Sequence, residues 1–407
     1  MYIYAHINKE TLQFIREKKI VSFDYVNRIT KLSKSKILEW EDLSSSKFPT
    51  IKQAKTIAKC YRIPFAGLYM NSDDINAKHL PQMRNLRTLP DASIDNSALN
   101  LAIADILNAR ELLIESRATL KENIPQFTLS VDASVDDVVK WARVIREKLY
   151  INTDVQYRCQ SSRQFYLYVR DCVEATGIFV HCFTGIDVEV ARGLAIYDEK
   201  MPIIGLNNND RYPGKTFSTI HELVHLIKRS SAICNEMFDS FASHNEEIFC
   251  NAVAGEVLVP KANLIKQLGS YTAAEIDLHI IEALSKKFSV SKEVITRRLL
   301  DCEKISQTQY NSTMSTIKLL FDSERETAKE QRRLTGHGIP RNISREAVDQ
   351  TSGALCRTFY HGYIAAGKAA WKKPSLRCIS RASLCAVWRI SQKRCGVARY
   401  HLPPLAS

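Results

Sequence analysis

Apolar residues recur at helical spacing through the first part of the chain. Leu12, Phe14 and Ile15 mark a first short helix, FDYVNRIT (23–30) a second, and SKSKILEWE (33–41), with Ile37, Leu38 and Trp40, a third. After the turn-like SSSKFPT, the segment IKQAKTIAKCYRI puts Ile51, Ala54, Ile57 and Ala58 on one face until Pro64 stops it. The pair 23–30 and 33–41, linked only by Lys31 and Leu32, has the dimensions of a helix-turn-helix, a spacing shared by many small bundles. Residues 71–96 carry no periodicity and read as a connector. Helical patterning returns from about Ser97 to Tyr150, in LNLAIADILNARELLIE and VDDVVKWARVIREKLY. FYLYVRDCVEATG predicts a helix ending near Gly177. Three short strands follow, IFVHCF, GLAIYD (193–198) and MPIIGLN (201–207), and NNDRYPGKT then turns the chain into another helix. Further on, ISREAVDQTSGALCRTFYHGYIAAGKAAW reads as two helices broken near Gly362.

The helix after the strands contains FSTIHELVHLI (217–227). Ile220, Leu223, Val224 and Ile227 form a stripe at i, i+3, i+4 and i+7 that can face a core. His221 and His225, four apart, project from one face, with Glu222 about 100° around from His221. Taken alone, this is equally a helix with two surface or hydrogen-bonded histidines. Two neutral imidazoles also suit Zn2+, which needs a third protein ligand and one open position for water, with a nearby carboxylate to take that water's proton.

A third ligand is available about twenty residues on. SHNEEIFCNAVAGEVLVP (243–260) reads as a strongly apolar helix, on which a carboxylate needs a compensating charge if buried. Glu247 is assigned as the third metal ligand. Asn251 lies four residues on and is expected to accept the spare ring N–H of a ligand histidine. Glu246 points about 100° away, on the face of Cys250, and is expected to matter little. Glu256 falls on the opposite side of the helix and reads as a helix-end surface charge. His244, His181 and Tyr212 are candidates for steadying an oxyanion. No G-x-S-x-G, G-x-x-x-x-G-K-[ST] or strand-linked G-x-G-x-x-G occurs, which removes the common hydrolase and nucleotide signatures.

Composition narrows the setting. The 407 residues, 45% hydrophobic, suffice for two or three domains. The longest apolar runs fall far short of the ~20 residues that span a bilayer, so no membrane partner is expected. The N-terminus lacks the pattern of a secretory signal, and the cytoplasm is the default location. Eleven cysteines without a C-x-x-C pair read as free thiols. The net charge of +13 is uneven: residues 1–70 hold 13 basic and 6 acidic side chains, and residues 331–407 hold 14 and 2. A basic N-terminal module suits an anionic partner such as double-stranded DNA, or serves solubility. From Trp371 the composition changes abruptly, with eight Lys or Arg and no acidic residue, and disorder is expected there.

FSTIHELVH and EIFCNAVAGEVLVP, in that order and spacing, resemble the two signature phrases of the ImmA/IrrE-like metallopeptidases. LEWEDLSSSKFPTIKQAKTIAKCYRIPFAGLYM resembles the last half of the Xre/Cro-type helix-turn-helix that precedes the peptidase in some members. The resemblance covers roughly residues 8–330. Cys250 and Val253 replace the commoner alanine and phenylalanine, and EDLSSSK lacks the usual glycine after the recognition-like helix. It implies an α+β fold: a mostly helical, zincin-like domain with a small sheet, after an all-α helix-turn-helix-like module. The expected segments are the module (1–70), a connector with helices (71–128), the peptidase domain and following helices (129–330), a helical portion (331–370) and the basic tail (371–407).

The family implies His221, His225 and Glu247 as Zn2+ ligands and Glu222 as the base. The expected activity is an intracellular zinc endopeptidase cutting a regulatory protein such as a transcriptional repressor. The alternative is a DNA-binding regulator or antitoxin-like partner with a weak or silent site. Lys34, Ser35 and Lys36 would then contact DNA from the start of 33–41, weakened by the acidic Glu39, Glu41 and Asp42. Xre-like modules often pair, so a homodimer is also expected.

Overall fold

The computed structural model describes residues 3–74, 96–132, 137–231, 244–335 and 343–366. The tail 371–407 and most of the connector 71–96 lie outside the described residues. The helices are α1 (Lys9–Lys18), α2 (Phe23–Thr30), α3 (Lys34–Glu41), α4 (Ile51–Cys60), α5 (Ser97–Leu120), α6 (Val138–Lys148), α7 (Thr153–Arg158) and α8 (Ser162–Ala175). Strands β1 (Phe179–Phe183), β2 (Gly193–Ile196) and β3 (Ile203–Asn207) follow. Then come α9 (Tyr212–Ser231), α10 (His244–Leu258), α11 (Lys261–Leu268), α12 (Leu278–Phe288), α13 (Lys292–Asp301), α14 (Gln307–Thr335), α15 (Ile343–Gln350) and α16 (Gly353–Ala366). The fold is the expected one, mostly helical with a three-stranded sheet and preceded by short helices. No single described helix is long and apolar enough to cross a membrane. The described cysteines are all free.

One compact unit comprises Met1–Leu112 with Phe183–Ala191. Its core gathers Leu12, Ile15, Val26, Ile37, Trp40, Ile57 and Leu68 around α1–α4, with Leu101 of α5. Each short helix has its own start signal. Asn8, Ser22, Ser33 and Thr50 accept a backbone N–H of the first turn, and Thr50 with Gln53 closes a capping box. Lys31 sits in the left-handed region (φ 62°), which turns α2 sharply into α3. Ser22 N–H donates to Ser97 Oγ, and Asn100 Nδ2 donates to the Ile20 carbonyl, so the start of α5 is joined to this unit.

The second unit comprises, among the described residues, those from Leu113 to Cys182, from Arg192 to Ser231 and from His244 to Ala366. Its sheet has the order β1–β3–β2. β2 and β3 are antiparallel, in register from Gly193 opposite Leu206 to Ile196 opposite Ile203. The central strand β3 is buried throughout, as its unbroken apolar run requires. α9 packs on β2, β3 and α8, and α10 packs on α9 and α6. Trp141 of α6 meets Phe249 of α10 edge to face, with ring centroids 5.4 Å apart. The break expected near Gly362 falls instead at Thr351–Ser352, between α15 and α16. There Ser352 Oγ accepts the Leu355 N–H as a helix cap, while Gly362 is carried inside α16.

Candidate metal centre

The centre is built by the contact of α9 with α10. Ile220, Leu223, Val224, Leu226 and Ile227 are fully buried, which fixes the rotation of α9 and turns His221 and His225 toward α10. Cys250, Val253, Ala254 and Val257 do the same for α10. The two imidazoles converge, with His221 Nε2 and His225 Nε2 3.2 Å apart. Glu247 divides its carboxylate between them, Oε2 lying 3.3 Å from His221 Nε2 and Oε1 3.4 Å from His225 Nε2. Ligand atoms at ~2.0–2.1 Å from a tetrahedral zinc stand about 3.3–3.4 Å apart, so this spacing is that of a metal's ligand shell. His221, His225 and Glu247 form a donor set able to hold a metal ion.

The electrostatics point the same way. Hydrogen bonds from His221 and His225 hold the Glu247 carboxyl well below the usual carboxylate range. Burial disfavours charge on His225, but hydrogen bonds to Cys250, Glu246 and Glu247 outweigh it and push its pKa up to about 12. Glu222 is half-buried beside the two rings. Burial raises its pKa, His221 and His225 draw it back down, and Glu247 adds to the rise. Gly193 makes room for it: a Cβ there would stand 2.8 Å from Glu222 Oε1. Composition and periodicity carried no signal for that glycine.

Residues 182–300 match the family profile of the IrrE N-terminal-like domain, Peptidase_M78. The match runs from the end of β1 through α13 and contains His221, Glu222, His225 and Glu247. It supports the metallopeptidase resemblance for that stretch, and with the donor set it supports metal-dependent peptidase activity in general terms. The N-terminal helices lie outside it. No curated protein and no solved structure matches the chain.

Several expectations are corrected. Asn251 is exposed and makes no hydrogen bond to either histidine among the described contacts. His225 Nδ1 faces Glu246 Oε1 at 3.5 Å and Cys250 Sγ at 3.7 Å instead. The reason is rotational. The buried stripe of α10 turns the 246/250 face toward α9, and Glu247 reaches the rings from the edge, where the shorter Asn251 does not. His221 Nδ1 is buried without a hydrogen-bond partner. Glu256 is buried and ion-paired to Arg298, and it accepts the Lys261 N–H at 3.0 Å.

Two of the three oxyanion candidates, His181 and Tyr212, are engaged elsewhere. His181 Nδ1 accepts the Ser352 N–H at 3.3 Å, and the ring stacks on Phe179. Tyr212 donates its O–H to Asp349 Oδ2 at 2.7 Å. The side chain of His244 lies outside the described residues. In the first unit, Lys34, Ser35 and Lys36 are exposed at the start of α3, where Lys34 Nζ lies 5.2 Å from the Phe23 ring centroid.

Proposed function

We propose that the chain is a zinc-dependent endopeptidase acting on a regulatory protein, such as a transcriptional repressor. The observation that carries this reading is the convergence of His221 Nε2, His225 Nε2 and the Glu247 carboxylate, with Glu222 alongside. His221, His225 and Glu247 would hold the ion. When bound, zinc supplies Lewis-acid chemistry and makes a water acidic enough to serve as a nucleophile near neutral pH. Glu222 is the proton carrier. Its partly desolvated carboxyl has raised proton affinity, which suits a group that accepts a proton and returns it to a leaving nitrogen. Glu247 neutralises part of the ion's charge.

The test compares wild type with Glu222→Gln. The variant keeps all three ligands, so zinc content stays the same while cleavage stops. Cellular proteins that shorten with wild type and remain intact with Glu222→Gln identify the substrate. A variant that cuts a verified partner at the wild-type rate excludes Glu222 as the base.

A second reading is a DNA-binding regulator, or an antitoxin-like partner protein, with a silent peptidase site. It is favoured by the exposed Lys34, Ser35 and Lys36 at the start of α3 in a basic module. Titration with duplex DNA across a range of salt decides it, because phosphate contacts impose a steep salt dependence. Sedimentation of the same protein reports whether it pairs.

A further inference from the structure

His225 has two ring nitrogens, and the ligand set proposed above uses only one. On the far side, Nδ1 meets Glu246 Oε1 at 3.5 Å and Cys250 Sγ at 3.7 Å. The ligand atoms of His225, Glu246 and Cys250 all lie within 4.8 Å of one another. With Zn–N ~2.0 Å and Zn–S ~2.3 Å, tetrahedral ligands N and S stand about 3.5 Å apart, close to the spacing seen. Glu246 and Cys250 are one helical turn apart on α10, and Cys250 is fully buried, so this face is held against α9 by the core. The inner set offers two nitrogens and a carboxylate. The outer set offers nitrogen, carboxylate and sulfur, which selects a thiophilic ion.

We infer that His225 Nδ1, Glu246 and Cys250 form a second metal site, for a thiophilic divalent cation, which competes with the first for the His225 ring. The inference rests on the zinc reading only for the competition, not for the outer site. A neutral imidazole offers one lone pair, and its other nitrogen carries the proton. A metal on Nε2 leaves the proton on Nδ1, directed at Glu246 and Cys250. A metal on Nδ1 forms N–M and S–M bonds. The ring proton then moves through solvent to Nε2, and the Cys250 thiol releases one proton to water. Nε2 no longer ligates, and the inner set is reduced to His221 and Glu247. Excess thiophilic cation therefore releases the inner ion.

Cadmium titration of the zinc-loaded full chain tests this. Wild type should develop a thiolate-to-cadmium ultraviolet band that is missing from the difference spectrum of Cys250→Ala; the other cysteines contribute equally to both and cancel. Zinc should leave wild type as the band grows, and Cys250→Ala should retain it to at least tenfold higher cadmium. Glu246→Gln should shift the half-point of the band at least tenfold upward. It and Cys250→Ser keep the test readable if Cys250→Ala does not fold. His221→Ala should lose zinc yet keep the Cys250-dependent band, which separates failure of the inner site from failure of the outer one. Identical bands in wild type and the Cys250 variants overturn the outer site. A Cys250-dependent band that forms without zinc release overturns the competition.

Discussion

The α1–α3 pair of the first unit and the α9–α10 pair of the second pose the same problem in different ways. Both bury charged side chains near a contact between helices. In the first unit each buried charge has its complement. Glu41 receives Arg16 through both of its oxygens at 2.8 Å. Lys9 Nζ donates to the carbonyls of Asp42 and Ser45, and Lys19 Nζ to that of Tyr61. Between α9 and α10, two imidazoles and two carboxylates converge at 3.3–3.5 Å. A matched set holds a fold together. A set of donors converging at ligand spacing is one that could hold a metal ion.

The largest effect that can break this comparison lies at Glu247. Zinc sites of four ligands bind with ~10–16 kcal/mol, so losing one ligand costs roughly 3–4 kcal/mol, about a thousandfold in affinity. Glu247→Ala should show that loss in a chelator competition. Glu246→Ala should weaken zinc by about tenfold, because it removes a partner of His225 Nδ1 rather than a ligand. Equal retention in the two variants would place the third ligand elsewhere.

Arg16→Ala tests the matched side. It leaves the Glu41 carboxylate buried and unpaired, at a cost of about 3 kcal/mol. Urea unfolding followed by the fluorescence of Trp40, which is buried in the same unit, should report it, with zinc content unchanged. A normal unfolding midpoint would show the pair to be dispensable.

His181 gives a smaller, pH-dependent effect. Burial lowers its pKa to about 4, with Arg170 adding to the shift, and Nδ1 is already an acceptor for Ser352 N–H. The folded value lies below the ordinary ~6.5, so the unfolded chain binds the proton more readily. This contribution is therefore complete above about pH 6.5 and is lost as pH falls toward 4, to the extent of ~3 kcal/mol. Denaturation midpoints from pH 7 to 4 should fall less steeply in His181→Asn. The smallest effect belongs to the surface of α3. Lys34→Ala with Lys36→Ala should change stability by less than ~0.5 kcal/mol. If the module binds DNA, the same pair of changes makes the salt dependence shallower by about two in log–log slope.

The elements were legible where local pattern and local chemistry agree. The reading of 23–30 coincides with α2, and Ser33, the first residue of 33–41, serves as the cap of α3. All three strands fall within their predicted segments. α7 was missed because six residues carry too few apolar positions to show a period. The break before α16 was misplaced because Gly362 is a local signal, whereas Ser352 is held by Glu174, far away in sequence. His221 and His225 were legible as a pair because i, i+4 spacing on a helix with a buried stripe leaves their rings only one direction to face, whereas Glu247 lies on α10 and came from the resemblance and from the choice of carboxylates on that helix.

The sequence by itself determined the helix carrying the two histidines, the buried stripe that orients it and the nearby apolar helix with a choice of carboxylates, since all of these follow from the 3.6-residue period. Only the tertiary structure decided what each carboxylate and thiol meets. The rotation of α10 against α9, set by its buried stripe, brought Glu246 and Cys250 to His225 Nδ1 and left Asn251 exposed. The packing of α13 on α10 drew Arg298 to Glu256 and turned an expected surface charge into a buried pair. Gly193 reached Glu222 because β2 lies under α9. Spacing along one helix fixes which side chains share a face; which face meets another element depends on packing across the whole domain.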